Sequence, residues 1–311
     1  MRIGWREFLR QRFKKASKYH SIGIEFGDTV LYISTFRNSA KELIWVKQHV
    51  IPITDWVVKL KEYVAEQNLA NTPCRVALSI ARYQLLQVDK PAVAKSELTQ
   101  ALQWSVGELI PGEDELILDY FDYPASSSAA PKLNVVAIAK KEIVEICLGI
   151  GQAGLKLEHI GIEELATCDL LPQSDDAVMT VFQEAGDQVC LNIVKQNKLF
   201  FSRRLRGYEN MFSFSPEELQ MGVGDTLSVE IQRSVDYFER QLRQTPIKKI
   251  LISVDSPHQD ELAVLIAQLT SLSVEAFKPA IHLADGMQLS VASYASLGAA
   301  IGHEASDVEA S

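Results

Sequence analysis

Two acidic turns repeat the same residue types at the same spacing. Segment 25–29 reads EFGDT and segment 184–188 reads EAGDQ. The matching residues are Glu25, Gly27 and Asp28 in the first turn and Glu184, Gly186 and Asp187 in the second. If the fold brings these turns together, their four carboxylates are candidate ligands for magnesium or calcium, which prefer oxygen. Aspartate after glycine also serves local hydrogen bonding in turns, so a purely structural role is the alternative.

The elements around both turns are alike as well. Each turn joins two apolar strands into a hairpin, at 21–34 and at 178–194. A third strand, an amphipathic helix and a fourth strand follow in both halves. In the first half the third strand is predicted at 43–51, the helix at 54–68 and the fourth strand at 75–80. In the second half the third strand is predicted at 198–205, the helix begins with Asp225 as its N-cap, and the fourth strand is predicted at 249–254.

The second half continues with a helix that begins at Ser256-Pro257, a short strand at 273–276 and a small-residue helix at 290–301. Two copies of a β-β-β-α-β-α pattern predict an α/β protein with duplicated ribonuclease-H-like lobes that face each other across a cleft. Actin, the sugar kinases and Hsp70 share this arrangement. The predicted first lobe comprises residues 21–83 and 141–176, and the second lobe residues 177–302.

Residues 84–140 are predicted to form an inserted α+β subdomain. Its elements are a strand at 85–89, a helix at 96–110 and a strand pair at 115–123 and 132–139. At 100° per residue, Trp104 points away from the apolar face of that helix. We expect Trp104 to pack against the adjacent lobe, and the alternative is that it lines a groove for a partner.

The first 20 residues are basic, unlike the rest of the chain, and their apolar residues recur at helical spacing. Aromatic residues share one face of this predicted helix: Trp5, Phe8 and Phe13. Its basic residues include Arg6, Arg10 and Lys14. Such a helix can lie on an anionic membrane surface, and the alternative is docking on the body of the same protein. Residues 303–311 are predicted to be a flexible tail.

The composition restricts the function. With 311 residues, 47% of them hydrophobic, the chain can form two cores. A net charge of −9 excludes nucleic acid as the main partner. The sequence has no apolar stretch long enough for a membrane span and no signal peptide, so we expect a cytoplasmic protein. The four cysteines form no metal or redox motif and are expected to be buried thiols.

Three segments resemble the PilM family of type IV pilus assembly proteins. Segment 96–123 is similar to a helix with an R/Q-W-E pattern, an I-P turn and a V-x-D-Y strand. Segment 134–166 resembles the strand, helix and A-G-L turn that follow, and segment 228–241 resembles the E-I-x-R-S-x-x-F-F helix. The length and the diverged motifs are closest to the MshI-type members that serve the MSHA pilus. GspL and FtsA are more distant relatives.

The resemblance implies an actin-like ATPase fold with the insert placed as in FtsA. It also implies a partner, the N-terminal cytoplasmic peptide of a PilN-like inner-membrane protein, held in a groove between the insert and the first lobe. The protein would then lie at the inner membrane and connect the membrane platform to the pilus motor ATPase apparatus.

In actin-like ATPases the two turns hold the phosphates of ATP and its magnesium ion. The resemblance assigns to this cleft Glu25, Gly27, Asp28, Thr29, Glu184, Gly186 and Asp187, with Glu230 and Arg233 near the adenosine and ribose. The pattern departs from that of the family: Asp28 and Asp187 stand where a hydroxyl residue is expected, and Pro257 lies where a glycine-rich stretch is expected. A carboxylate about 4 Å from another like charge costs about 4 kcal/mol at an effective dielectric constant of 20, so these turns would repel a polyphosphate.

We therefore expect a degenerate cleft, without bound ATP or magnesium and without hydrolysis. The alternatives are binding of Mg-ATP without turnover, an active actin-like ATPase, and a sugar- or acid-kinase relative. Glu230 and Arg233 are expected on a solvated helix face. The run RRLR at 203–206 is expected to protect a strand edge, and its alternative is contact with an acidic partner.

Overall fold

A computed structural model describes residues 17–39, 42–110, 115–124, 131–289 and 292–302. The predicted basic helix at 1–20, with its proposed membrane or partner residues Trp5, Arg6, Phe8, Arg10, Phe13 and Lys14, lies almost entirely outside these residues, as does the predicted tail. Among the described helices, none has the length and apolar character needed to cross a membrane.

The strands and helices follow one another in the order that the sequence predicts. The strands are β1 (Ser21–Phe26), β2 (Val30–Ser39), β3 (Glu42–Pro52), β4 (Pro73–Leu78), β5 (Gln84–Asp89), β6 (Leu116–Asp122), β7 (Lys132–Ala139), β8 (Lys156–Ile162), β9 (Val178–Phe182), β10 (Val189–Lys195), β11 (Lys198–Leu205), β12 (Lys249–Ser253), β13 (Ser273–Ala276) and β14 (His282–Leu283). The helices are α1 (Trp56–Glu66), α2 (Leu98–Leu109), α3 (Lys140–Gln152), α4 (Glu163–Cys168), α5 (Pro216–Glu218), α6 (Gly224–Asp236), α7 (Gln259–Thr270) and α8 (Tyr294–Ile301).

The two lobes repeat one sheet topology. In the first lobe the strand order is β14-β3-β2-β1-β4-β8, and in the second it is β11-β10-β9-β12-β13. In each sheet the first strand pairs antiparallel with the second and parallel with the fourth, as in β1 with β2 and β4 and β9 with β10 and β12. The shared order 3-2-1-4-5 confirms the predicted duplication of a ribonuclease-H-like lobe.

The insert forms its own layer, a three-stranded antiparallel sheet β5-β7-β6 with α2 packed on it. Leu98, Leu102 and Val106 recur every four residues and form the buried stripe of α2. Trp104 lies off this stripe and its side chain is 77% exposed. The expectation that Trp104 packs against the adjacent lobe is therefore wrong.

The last helix crosses from the second lobe to the first. Helix α8 lies against β1, β2 and α4, although the sequence assigns it to the second lobe. A Cβ on Gly23 would come within 1.9 Å of the Ser296 carbonyl oxygen, and one on Gly298 within 1.8 Å of that of Ala166. Glycine is therefore needed at both positions for so close an approach. Strand β14, which pairs in parallel with β3, also joins the first sheet.

Two further expectations from the sequence are wrong in detail. Asp225 does not cap a helix, because α6 already begins at Gly224, after a kink at Gly222 that separates it from the preceding helical turns. The helical segment begins at Ser215, whose hydroxyl accepts from the Glu218 N–H while the Glu218 carboxylate accepts from the Ser215 N–H. Cys147 is exposed on α3, whereas the other three cysteines are buried.

Candidate functional site

The two acidic turns meet at the start of α8. Glu25 is the penultimate residue of β1 and has a buried side chain, and its carboxylate accepts a hydrogen bond from the Ser293 hydroxyl. The same hydroxyl accepts from the Ser296 N–H at 3.0 Å, so that Ser293 is also the N-cap of α8. Glu184 and Asp187 from the second hairpin act electrostatically on this group across the cleft. The structure thus brings together the acidic residues that the repeated motif singles out.

Burial sets the charge of these carboxyl groups. It raises the pKa of Glu25 to about 7, against the opposing effect of the Ser293 hydrogen bond. The pKa of Glu184 lies well above its ordinary value, because the group is buried and because Glu25 and Asp187 are close. The pKa of Asp187 is raised by burial first and by Asp28 second. Glu25 and Glu184 therefore favour their protonated forms nearer to neutral pH than an exposed glutamate does.

Among the described residues, no group of three or more His, Cys, Asp and Glu side chains has the geometry of a metal site. The predicted cation site formed by Glu25, Asp28, Glu184 and Asp187 thus has no such geometry in the structure. The Ser293 hydroxyl acts on both Glu25 and Glu184, and burial raises the pKa of each of these two carboxyl groups.

The backbone of the first turn is held in place by Arg82. Its guanidinium donates to the Gly27 carbonyl oxygen through Nη2 at 2.8 Å and through Nε at 3.0 Å. Arg82 is itself paired with Glu142 at 2.6 Å. The Thr29 carbonyl oxygen accepts from the Ile53 N–H at 2.8 Å. In the second turn Gly186 has φ +80°, a conformation that glycine adopts without strain. Both turns are thus rigidly placed.

A buried arginine enters the cleft from the second lobe. Arg204 lies near the end of β11, and its side chain is 17% exposed. Its Nη2 pairs with the Glu163 carboxylate and lies 3.9 Å from that of Glu164, both at the N-terminus of α4 in the first lobe. Glu164 also accepts a hydrogen bond from the Tyr83 hydroxyl. These ion pairs connect the two lobes beside the acidic turns.

Little space is left between the turns. The cavity at this point has a volume of about 50 Å³ and is lined by residues that include Glu25, Glu184, Asp187 and Arg204. Small-molecule sites usually have volumes of several hundred cubic ångströms, roughly 300–1,000 Å³. The cavity between the turns is therefore smaller in this conformation than a typical small-molecule site.

A larger cavity lies beside the insert, on the side of the second lobe. Its volume is about 220 Å³, and it separates the free edge of β5 from the free edge of β11. Leu85 and Leu86 form one wall, and Phe200 and Phe201 form the other. The buried Tyr123 hydroxyl lies near Gln87 and Tyr237 and makes no hydrogen bond of good geometry with either. This cavity offers apolar walls, two unpaired strand edges and one unsatisfied polar group.

No protein-family model matches the chain, and no curated protein matches it. Solved structures do match. One is the PilM–PilN type IV pilus biogenesis complex, with a TM-score of 0.67 and 16% identity over 91% of this chain and 98% of that chain. Another is the cytoplasmic domain of EpsL, an inner-membrane component of the type II secretion system of Vibrio cholerae, with a TM-score of 0.51 and 10% identity over 90% and 94% of the two chains. A protein with an actin-like ATPase fold from Bacteroides thetaiotaomicron gives a TM-score of 0.49 and 8% identity over 84% and 92%.

The fold is that of the actin-like ATPases. The duplicated strand order and the first two similarities agree on it. Within that fold, Glu230 and Arg233 lie on α6 and are not among the residues that line the small cavity. Glu230 bridges Arg203 at 2.7 Å and Arg233 at 2.6 Å, so Glu230 is held within the second lobe by ion pairs.

Sequence reasoning missed the residues that contact the acidic turns. Arg82 and Ser293 stand far from the turns in sequence and belong to no motif. Arg204 lies in the RRLR run on the edge strand β11, where the sequence predicts protection of the strand edge. The structure shows instead that Arg203 pairs within its own lobe and that Arg204 pairs with the other lobe. A lone arginine on a strand gives no signal of this role without the fold.

Proposed function

We propose that this protein is an assembly scaffold of a type IV pilus, of the MshI type that serves the MSHA pilus. The observation that carries the proposal is the similarity to the PilM–PilN complex over nearly the whole of both chains. The similarity to EpsL agrees, because EpsL is an inner-membrane component of a secretion system. In this role the chain is cytoplasmic and peripheral to the inner membrane, and it links the membrane platform to the pilus motor. Its basic first segment adds contact with anionic lipid.

The proposed partner is the cytoplasmic N-terminal peptide of a PilN-like inner-membrane protein. Two grooves beside the insert are candidates: one toward the first lobe, as the resemblance implies, and the cavity of about 220 Å³ between β5 and β11. We favour the second, because an extended peptide can pair with a free strand edge while one side chain fills the space between the Leu85 and Phe201 walls.

The nucleotide cleft is proposed to be degenerate. Its cavity of about 50 Å³ and the proton-sharing carboxyls at Glu25 and Glu184 support this proposal. A protein that assembles other proteins needs a stable shape more than it needs turnover, so loss of the ATPase reaction is compatible with the scaffold role.

The test is binding of a synthetic peptide with the sequence of the N-terminal cytoplasmic segment of the PilN-like protein from the same organism. Gln87 lines the cavity from β5 with an exposed side chain, so Gln87→Trp fills the groove without disturbing the core. We expect this change to weaken binding at least tenfold in fluorescence anisotropy. Gln84→Trp is the matched control, because Gln84 is exposed on the same strand and lies outside the cavity.

The outcomes separate the two parts of the proposal. Absence of peptide binding to the wild-type chain contradicts the scaffold function. If wild type, Gln87→Trp and Gln84→Trp bind the peptide equally, the scaffold function is supported and the proposed site at β5 is contradicted. Trp104→Ala, tested in the same assay, shows whether the exposed indole on α2 belongs to the binding surface.

A further inference from the structure

A buried side chain makes a polar connection between the lobes. Arg204 reaches from β11 of the second lobe to α4 of the first, where it pairs with Glu163 and lies 3.9 Å from Glu164. All three side chains are mostly buried, with exposed fractions of 17%, 15% and 1%. Ion pairs that are shielded from water in this way are strongly unfavourable to break, because separation leaves each charge unpaired in an apolar setting.

Both carboxylates are held in place from the first lobe. Glu163 accepts from the Ile80 N–H at 3.2 Å. Glu164 accepts from the hydroxyl of Tyr83. These two donors lie at either side of the short helical turn Ile80–Arg82, and Arg82 of that turn also holds the Gly27 carbonyl oxygen. Donors of the first lobe alone therefore orient the acceptors for Arg204.

Arg204 also borders the small cavity between the acidic turns. Its positive charge counteracts the burial of the Glu25 carboxyl and favours the ionised form of that group. The guanidinium thus brings a cation to the acidic turns and at the same time bridges the lobes. In an actin-like ATPase with an intact site, the metal ion brings positive charge to the two turns, and the bound nucleotide contacts both lobes.

We propose that Arg204 is an internal clamp that keeps the two lobes closed without nucleotide. The inference deepens the proposed function and rests on its degenerate cleft, because a clamp of this kind gives the scaffold one fixed shape. Closure is then a property of the polypeptide and does not depend on ATP. Separation of the lobes requires the contact between Arg204 and the N-terminus of α4 to be broken.

The experiment measures the distance between the lobes by double electron–electron resonance. Spin labels are placed at Val58 on α1 and Val264 on α7, two positions that are 58% exposed on different lobes. The exposed Cys147 is first replaced by serine, so that only the introduced cysteines react. We expect the wild-type lobes to give one narrow distance distribution that is unchanged by Mg-ATP.

Arg204→Met removes the clamp and keeps the bulk of the side chain. We expect its distance distribution to broaden and shift to longer values while circular dichroism shows intact secondary structure. Arg203→Met is the matched control, because its ion pair with Glu230 lies within one lobe. We expect the distribution of this control to match that of the wild type.

A narrow, unshifted distribution in folded Arg204→Met overturns the proposal. If this variant fails to fold, the same distance measurement is made on Glu163→Gln, because this substitution keeps the volume of the acceptor and removes only its charge. Broadening in Glu163→Gln supports the clamp, and a wild-type distribution overturns it. None of these measurements uses the PilN-like peptide, so failure of the clamp and failure of the scaffold function are distinguishable.

Discussion

The Glu25 carboxyl is buried at the end of a central strand with one strong donor, the Ser293 hydroxyl. Burial raises its pKa to about 7, so the folded chain keeps a proton that the unfolded chain releases near pH 4.5. A raised folded pKa gives stability that is fully present below pH 4.5 and is lost as the pH rises to about 7. This single residue therefore makes the fold less stable in neutral solution than in mild acid.

Glu25→Gln should remove this dependence, because the amide keeps the size of the side chain and does not titrate. Between pH 4.5 and neutral pH, we expect the free energy of unfolding of the variant to rise by about 3 kcal/mol relative to wild type. Urea unfolding at a series of pH values measures it. Glu62→Gln, on the exposed side of α1, is the control. Parallel pH curves for wild type and Glu25→Gln would contradict the buried, protonated carboxyl.

At the scale of elements, the pattern of the sequence predicts most of the fold. The alternating apolar residues and the repeated turns correctly place β1, β2, β9 and β10, and β11 and β13 agree in both bounds. Hydrophobic periodicity and turn residues are local signals, so they can be recognised without knowledge of tertiary contacts. The crossing of α8 to the first sheet, in contrast, depends on contacts between residues more than 260 positions apart, such as Ser34 with Ser296. The apolar, small-residue character of α8 shows that it is buried but not against which sheet.

Gly23→Ala should test how closely α8 packs on β1. The added Cβ would come within 1.9 Å of the Ser296 carbonyl oxygen and 2.6 Å of the Ala300 nitrogen, both backbone atoms that cannot rotate away. We expect a loss of about 3 kcal/mol or more in the free energy of unfolding. Gly151→Ala, within α3 and with nothing near its Cβ, should instead be neutral or stabilising by up to about 1 kcal/mol. Equal stability of the two variants in urea unfolding would contradict this packing.

At the scale of the whole molecule, the repeated motif predicts that two acidic turns face each other, and the structure places them so. The motif does not predict what holds them there. Ser293, Arg82 and Arg204 come from a helix cap, a short helical turn and a strand, and each acquires its role only when distant segments meet. The contacts of these three residues exist only in the assembled cleft. A single sequence therefore reveals the acidic turns of the site but not the residues that contact them.

The assembled cleft decides whether the chain responds to nucleotide. Any ligand that binds only the folded state raises the melting temperature by mass action, and a nucleotide at 100 times its Kd adds about 2.7 kcal/mol. For a chain of this size that corresponds to a rise of about 5 °C. Because the cavity of about 50 Å³ is lined by acidic side chains, we expect millimolar Mg-ATP to leave the melting temperature of the wild type unchanged.

Arg204→Met extends this measurement to a second protein, because the substitution removes the ion pair between the lobes and leaves the acidic turns in place. We expect Mg-ATP to leave the melting temperature of this variant unchanged as well, because its turns still carry Asp28 and Asp187 where a hydroxyl is needed. A clear rise in the wild type together with phosphate release would establish the active ATPase in place of the scaffold with a degenerate site. A rise in Arg204→Met alone would show that closure, and not the chemistry of the turns, excludes nucleotide from this protein.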